Sequence, residues 1–484
     1  MTRGRPEPAW RLVFTLTAAA ACLLATSCTV GPDYRRPDVD LPETWASVSQ
    51  PPSTAPSTQA LDAGLSEWWK GFNDPTLDAL VSRAVESNLD LLRATARVRQ
   101  ARAALQGTRA GLWPTVDLSG SYRRNGANIR AEDDDGSDRS TGGARGVYQA
   151  GFDAAWEIDV FGGVRRSVEA ARADLQSVVE DRRNVLVTLI SEVALAYMDL
   201  RRFQRELAIA RENLGSQRNS AALTRRRFEA GLVSGLDTAN AEVQVASTES
   251  QIPLIQRDIR QVIFALDVLL GGHPGSLAEE LSAEAPIPLA PPDVPLGLPS
   301  DLLMRRPDVR RAEADLHAAT ARIGVATADL FPRFALTGSL GVSAERWQGL
   351  GNWGNRSWSF GPSASWPLFD AGRIRANIAV QNAAQEQALL AYRATVLLAL
   401  QEVENSLVDY ASERDRRVAL VKAVESSRRS VELSTQLYTR GETDFLNVLS
   451  AQRALFSSEE ALAVSDRNMS AAVIALYKAL GGGW

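Results

Sequence analysis

The sequence predicts an α+β membrane protein assembled from two copies of one unit. Three observations carry the prediction. A long stretch of chain recurs at fixed spacing. Each copy holds a pair of alternating strands. Each copy also holds one helix too long for a globular domain.

The recurrence is plain along the 484 residues. RFEAGLVSGLDTANAEV, starting at Arg227, matches LYTRGETDFLNVLSAQR, starting at Leu437, at an offset of 210 residues. The same offset pairs Trp156 with Trp366, Asp199 with Asp409, and Gly271-Gly272 with Gly481-Gly482. LWPTVDLSGSY, from Leu112, matches LFPRFALTGSL, from Leu330, at an offset of 218. The first copy therefore carries an insertion between Pro114 and Trp156. A period this long is a duplicated half-molecule and not a solenoid repeat. The expected division is residues 28–66 as an N-terminal surface segment, 67–285 as repeat 1, 286–299 as a linker and 300–484 as repeat 2. The linker, PIPLAPPDVPLGLP, is rich in proline, which denies backbone donors to helix and sheet.

Residues 1–27 read as a lipoprotein signal peptide. Arg3, Arg5 and Arg11 make a basic start, and an apolar stretch of signal length covers 12–25. Ala25, Thr26 and Ser27 then precede Cys28, which becomes the acylated first residue. A plain signal peptide with an incidental cysteine is the alternative. Cys22, the other cysteine, leaves with the signal, so no disulfide is expected.

The strands are expected at 114–124 and 147–159 in repeat 1 and at 333–344 and 357–368 in repeat 2. Val116, Leu118, Gly120 and Tyr122 alternate with Asp117, Ser119, Ser121 and Arg123. Each strand has about ten residues and one apolar face, the pattern of a transmembrane β-strand. Aromatics near strand ends (Tyr122, Tyr148, Trp156, Trp358, Trp366) suit an interfacial girdle. A soluble β-sandwich is the competing reading, but four strands cannot bury both faces. Nor can they close a barrel without a lipid-exposed edge. Three chains supply twelve strands, an even number within the known range. The segment 124–146 reads as an exposed loop with an acidic run around Asp133 to Asp135.

The long helices are expected at 164–229 and 373–440, with return helices to 271 and 480. At 1.5 Å per residue each long helix spans roughly 100 Å. Leu186, Leu189, Val193, Ala196, Leu200, Phe203, Leu207, Ala210 and Leu214 keep three-four spacing, the seam of a coiled coil. In repeat 2, Val396, Ala399, Val403, Tyr410, Leu420 and Val424 hold the seam less regularly. Pro253 is expected to break or kink the first return helix.

Composition argues against several functions. A net charge of -5 leaves no basic footprint for nucleic acid. No uncharged apolar run reaches the roughly 18 residues of a spanning helix. There is no phosphate loop, nucleophile elbow or HExxH, so no enzyme and no cofactor is expected. His273 and His317 lie far apart with no ligand-like neighbour in sequence, so no metal site is expected.

CTVGPDYRRP (residues 28–37), EWWKGFNDPTLDALV (67–81) and LPSDLLMRRPDVRRAEADL (298–316) together resemble the TolC-like outer-membrane efflux proteins. The closest likeness is to their lipoprotein branch, the OprM/NodT type. The resemblance covers nearly the whole mature chain. It implies a homotrimer with a twelve-stranded barrel in the outer membrane, continued by a long periplasmic α-helical barrel. It implies a periplasmic adaptor (membrane fusion) protein docked on the turns at Gly231-Leu232 and Gly441-Glu442. An inner-membrane pump of the resistance-nodulation-division type would then drive export of drugs or other small molecules. Thr29, after the lipidated cysteine, favours the outer membrane and its lipid.

In the family, acidic side chains just after the turn narrow the periplasmic aperture. Here the matching positions hold Asn447 and Ser450. Asp237 and Asp444 are therefore expected to supply the acidic constriction, the alternative being two ordinary helix-start aspartates. The exit duct of a type I secretion system, or of a metal-ion efflux system, would look much the same. A filament-like coiled-coil protein would not explain symmetric strand pairs.

Replacing Cys28 with Ser should abolish incorporation of labelled palmitate. Label retained in the variant would refute the assignment.

Overall fold

The computed structural model describes residues 29–47, 65–127, 130–132, 138–140, 143–289 and 305–484. Cys28, most of the linker and the acidic run lie outside the described residues. The chain forms two compact units, and both draw on both repeats. The first takes residues 1–37, 99–177 and 313–391, and the second takes 38–98, 178–312 and 392–484. The compact units therefore interleave the two sequence repeats. Each repeat lends its strand hairpin to the first unit and its helical hairpin to the second.

The strands are β1 (Thr115–Ala127), β2 (Gly143–Ile158), β3 (Arg333–Ala344) and β4 (Arg356–Ser365). They form one antiparallel sheet in the order β1-β2-β3-β4, with β1 and β4 at its edges. Register places Leu118, Phe152, Leu340 and Trp358 in one row across the sheet. All four are at least half exposed. The next row, on the opposite face, is Asp117, Asp153, Ser339 and Ser359. One face is therefore apolar and the other polar, as the alternation requires. Trp156 Nε1 donates to the Leu112 carbonyl at 3.1 Å and Trp366 Nε1 to that of Leu330 at 3.0 Å. The duplication thus repeats a hydrogen bond that closes each strand pair.

Three strand boundaries differ clearly from expectation. β1 and β2 extend into the segment read as a loop, and Arg130–Glu132 pairs there with Asp138–Ser140. Polar residues are no obstacle to a two-stranded ladder bathed in water. β4 stops at Ser365 rather than at 368. Pro367 has no N–H to continue a ladder.

The helices are α1 (Pro75–Ser87), α2 (Leu89–Ala110), α3 (Gly163–Glu229), α4 (Gly235–Leu269), α5 (Pro307–Ala328), α6 (Arg373–Arg440) and α7 (Phe445–Ala479). α4 runs through Pro253 without the break that, with a kink, was one of two outcomes expected there. Pro253 and Glu249 are exposed, so water can satisfy the carbonyl that proline leaves without a donor. Within the second unit, Leu189, Val193, Leu200, Val396, Ala399 and Val403 are buried, placing both seams in its core.

The motifs that carried the resemblance are packing devices. Trp68 stacks on Tyr477 at 5.3 Å, and Asp74 caps α1 by accepting from the Thr76 and Leu77 amides at 2.8 and 3.2 Å. The Arg306 guanidinium is buried. It bonds Asp308 at 2.7 and 3.0 Å, Glu402 at 2.7 Å and the Ala479 carbonyl at 2.9 Å. Arg183 and Arg310 lie 4.2 and 5.1 Å from the Trp484 ring, and both pair with the buried Glu180.

In the first unit, residues 29–37 are clasped between α3 and α5. Val30 N donates to the Phe161 carbonyl at 3.1 Å, and a side chain on Gly31 would meet the Gly324 Cα at 2.4 Å. Arg166 bonds Asp33 at 2.6 Å, Glu169 at 2.7 Å and the Val30 carbonyl at 3.2 Å. Arg36 pairs with Glu313. His317 bonds Glu169 at 3.0 Å and stacks on Tyr34 at 4.4 Å. His317 is thus a satisfied residue whose partners come from distant sequence.

Burial pushes the Glu169 carboxyl upward, but hydrogen bonds from Arg166 and His317 outweigh it and leave the group below its usual 4.5. A depressed carboxylate stabilises the fold above its unfolded value, and the contribution is lost as pH falls through the folded one. Hydrogen exchange of residues 30–36, corrected for intrinsic rates, should therefore accelerate below about pH 4.5. Glu169→Gln should reduce that pH dependence; an unchanged profile would show that Glu169 does not control it.

Candidate functional site at the helix turns

The sites expected from the sequence gather at the two turns joining α3 to α4 and α6 to α7. Both lie in the second unit and are built alike. Gly231 has φ of +70° and Gly441 of +79°, the left-handed region where glycine carries no steric cost. Leu232 N donates to the Arg227 carbonyl at 2.8 Å and Gly231 N to Phe228 at 2.9 Å. Glu442 N and Gly441 N make the matching bonds to Leu437 and Tyr438 at 2.9 and 3.0 Å. These are paired 6→1 and 5→2 bonds, which satisfy carbonyls a helix end leaves open. Gly271-Gly272 and Gly481-Gly482 end α4 and α7 in the same way.

The next residues restart a helix. Ser234 N and Oγ both donate to Asp237 Oδ2 at 3.1 Å, so Asp237 closes a capping box on α4. Asp444 occupies the N-cap of α7, but its side chain makes no capping bond. Asn447 Nδ2 donates to Thr443 Oγ1 at 2.7 Å. Glu442, Asp444, Asn447 and Ser450 are exposed, and Asp237 is half-buried. Beside them Leu232, Leu236 and Leu446 are 66%, 68% and 55% exposed. The turns thus present apolar side chains next to carboxylates.

The two turns are also bound to each other. The Arg227 guanidinium donates to the Tyr438 carbonyl, reaches that of Thr439 at 3.4 Å, and lies 4.7 Å from the Tyr438 ring centroid. It satisfies carbonyls at the end of α6 and sits where a positive charge suits the helix dipole. Tyr438 Oη donates to Thr224 Oγ1 at 3.2 Å, and its ring packs on Phe445 at 5.5 Å. Ala241, Val448 and Leu449 complete this small core. Further along, the buried Gln452 donates to Ser220 Oγ at 2.9 Å and to Ser216 Oγ at 3.3 Å. Arg218–Glu249 at 2.5 Å in repeat 1 recurs as Arg428–Glu459 at 2.7 Å in repeat 2.

Arg227, Thr224, Tyr438 and Gln452 are absent from the expected sites. Arg227 aligns with Leu437 in the repeat, and Gln452 with Glu242, so the likeness between copies hides the residues that join them. No group of His, Cys, Asp and Glu among the described residues could hold a metal ion. No described helix is long and apolar enough to cross a membrane.

Known proteins share this architecture. The family described as "Outer membrane efflux protein" matches residues 80–272 and 298–482, one segment in each repeat. The chain belongs to that family. Nodulation protein T of Rhizobium leguminosarum bv. trifolii is 33% identical over 96% of this chain and 96% of its own length. The toluene efflux pump outer membrane protein TtgI of Pseudomonas putida is 34% identical over 96% of this chain and 97% of its own. The outer-membrane channel OprN superposes with a TM-score of 0.85 at 37% identity, covering 94% of this chain and all of that one. The family's two matched segments coincide with the duplication, and each contains one of the turns.

Hydrogen bonds from a charged donor contribute about 1.5–3 kcal/mol. Arg227→Ala should therefore speed exchange of the Gly441 and Glu442 amides by at least tenfold, while Gly231 and Leu232 change less. Equal acceleration at both turns would show that Arg227 merely supports the bundle.

Proposed function

We propose that this chain is one third of a passive outer-membrane exit channel, the outer-membrane factor of a tripartite efflux system. It carries drugs or other small molecules out of the periplasm. The observation that supports this most directly is the sheet. Its apolar face is exposed, and β1 and β4 leave two open edges. Hydrocarbon accepts the apolar face but penalises unpaired backbone at an edge by several kcal/mol per group. Pairing β1 of one copy with β4 of the next removes every edge, and three copies give a twelve-stranded barrel. Polar rows such as Asp117, Asp153, Ser339 and Ser359 then line a wet lumen.

Cys28 carries the lipid that adds membrane affinity. The turns at Gly231-Leu232 and Gly441-Glu442 face a periplasmic adaptor, for which exposed Leu232, Leu236 and Leu446 provide apolar contact. An inner-membrane resistance-nodulation-division pump supplies the energy. Pumps named for toluene and other solvents among the relatives favour small apolar cargo. Asp237 and Asp444, with Asn447 and Ser450 beside them, line the closed aperture.

Native mass in mild detergent should give three copies, and the trimer should conduct cations preferentially in a planar bilayer. Asp237→Asn with Asp444→Asn should weaken that preference. A stable monomer would refute the channel; unchanged selectivity in the double variant would move the aperture elsewhere.

A further inference from the structure

The two ends of the sheet differ in how they treat arginine. At the end joined to the helices, arginines have carboxylate partners: Arg333 pairs with Asp329 at 2.5 Å and Arg165 with Asp159 at 3.2 Å. At the far end Arg124, Arg346 and Arg356 are exposed, and none has a carboxylate partner among the described residues.

Arg124 and Arg356 belong to the apolar face, and Arg346 follows the end of β3. Register puts Arg356 in the row of Gly120, Ala150 and Val342. The next row is Tyr122, Tyr148 and Ala344, and Arg124 lies beyond it, opposite Gly146. Arg346 lies two residues past Ala344, the last residue of β3, and is exposed at the same end of the sheet.

Aromatic rings surround them. Tyr122 and Tyr148 lie 4.5 Å apart, and Tyr148 meets Trp347 at 5.9 Å. Arg356 sits 5.4 Å from the Trp353 ring centroid and donates to the Trp353 carbonyl at 3.0 Å. Trp347, Trp353 and Trp358 are 69%, 69% and 73% exposed. Such rings take the boundary between hydrocarbon and headgroups. An arginine among or just beyond them reaches headgroup depth, where a guanidinium meets phosphate with two parallel hydrogen bonds.

We propose that Arg124, Arg346 and Arg356 form a collar that binds the phosphate groups of phosphorylated glycolipid in the outer leaflet. The inference rests on the barrel reading above, which makes this face lipid-exposed and the end remote from the helices external. The aromatic rings hold the sugar-acyl boundary, with Arg356 one row inside the Tyr122–Tyr148 pair and Arg124 one row beyond it.

The test uses the full-length protein purified in mild detergent, with lipid A as probe. Its dephosphorylated form and phosphatidylcholine are the comparisons, and bound lipid is counted by native mass spectrometry. An arginine near an anionic headgroup layer contributes roughly fivefold in affinity, so three contribute on the order of a hundredfold. The unaltered trimer should prefer lipid A over its dephosphorylated form by about that factor. The variant Arg124→Gln/Arg346→Gln/Arg356→Gln should still give the trimer mass but bind the two forms within a few-fold of each other. A trimer with no phosphate preference, or a variant that keeps it, overturns the collar alone. A protein that gives no trimer mass overturns the barrel reading and the collar with it.

Discussion

An antiparallel sheet of four strands cannot satisfy its own backbone. The three inner ladders pair every strand with its neighbour, yet the outer edges of β1 and β4 have no partner among the described residues of the chain. In water such an edge is a hazard that proteins blunt with charge or bulges. In hydrocarbon it is excluded outright. Identical copies joined edge to edge relieve the constraint, with residues already present in every chain. The outward apolar row and inward polar row then have only one arrangement that suits lipid outside and water within.

Helix reversal imposes the second demand. A helix of 67 or 68 residues must end cleanly for its return partner to pack along it. Glycine in left-handed conformation does this at Gly231 and Gly441, and again where the return helices stop at Gly271 and Gly481. The following residues restart a helix within a few positions, through Ser234 with Asp237 in one copy and Asp444 in the other. Rigid turns of this kind hold Leu232 and Leu446 out in solvent instead of letting them fold back.

Much of this was legible in the sequence because it is periodic. Strand alternation, the three-four seam and the 210-residue offset are patterns that local chemistry repeats. The second long helix has the bounds its freedom from proline and glycine suggested. α2 and α5 gave no such signal: arginine is distributed all around α2, and α5 begins inside a motif read for its likeness alone. The break expected at Pro253 misled because exposure, which decides whether a lost donor matters, belongs to the folded state. The Arg166–Glu169–His317 cluster joins residues 148 apart, and no pattern in sequence announces it. Of the site, the turns were visible and the contacts between them were not. Asp237 also proved to be a capping residue.

Those contacts break the likeness between the copies. Arg227 faces a backbone end, whereas its counterpart Leu437 has no such role; Gln452 is buried across the bundle, whereas Glu242 pairs at the surface with Arg225. Three chains with two equivalent hairpins each would make a ring of six interchangeable positions. With the copies diverged, the ring has two alternating kinds of position instead. The two kinds of position differ in chemistry, a distinction that an undiverged duplication would not offer.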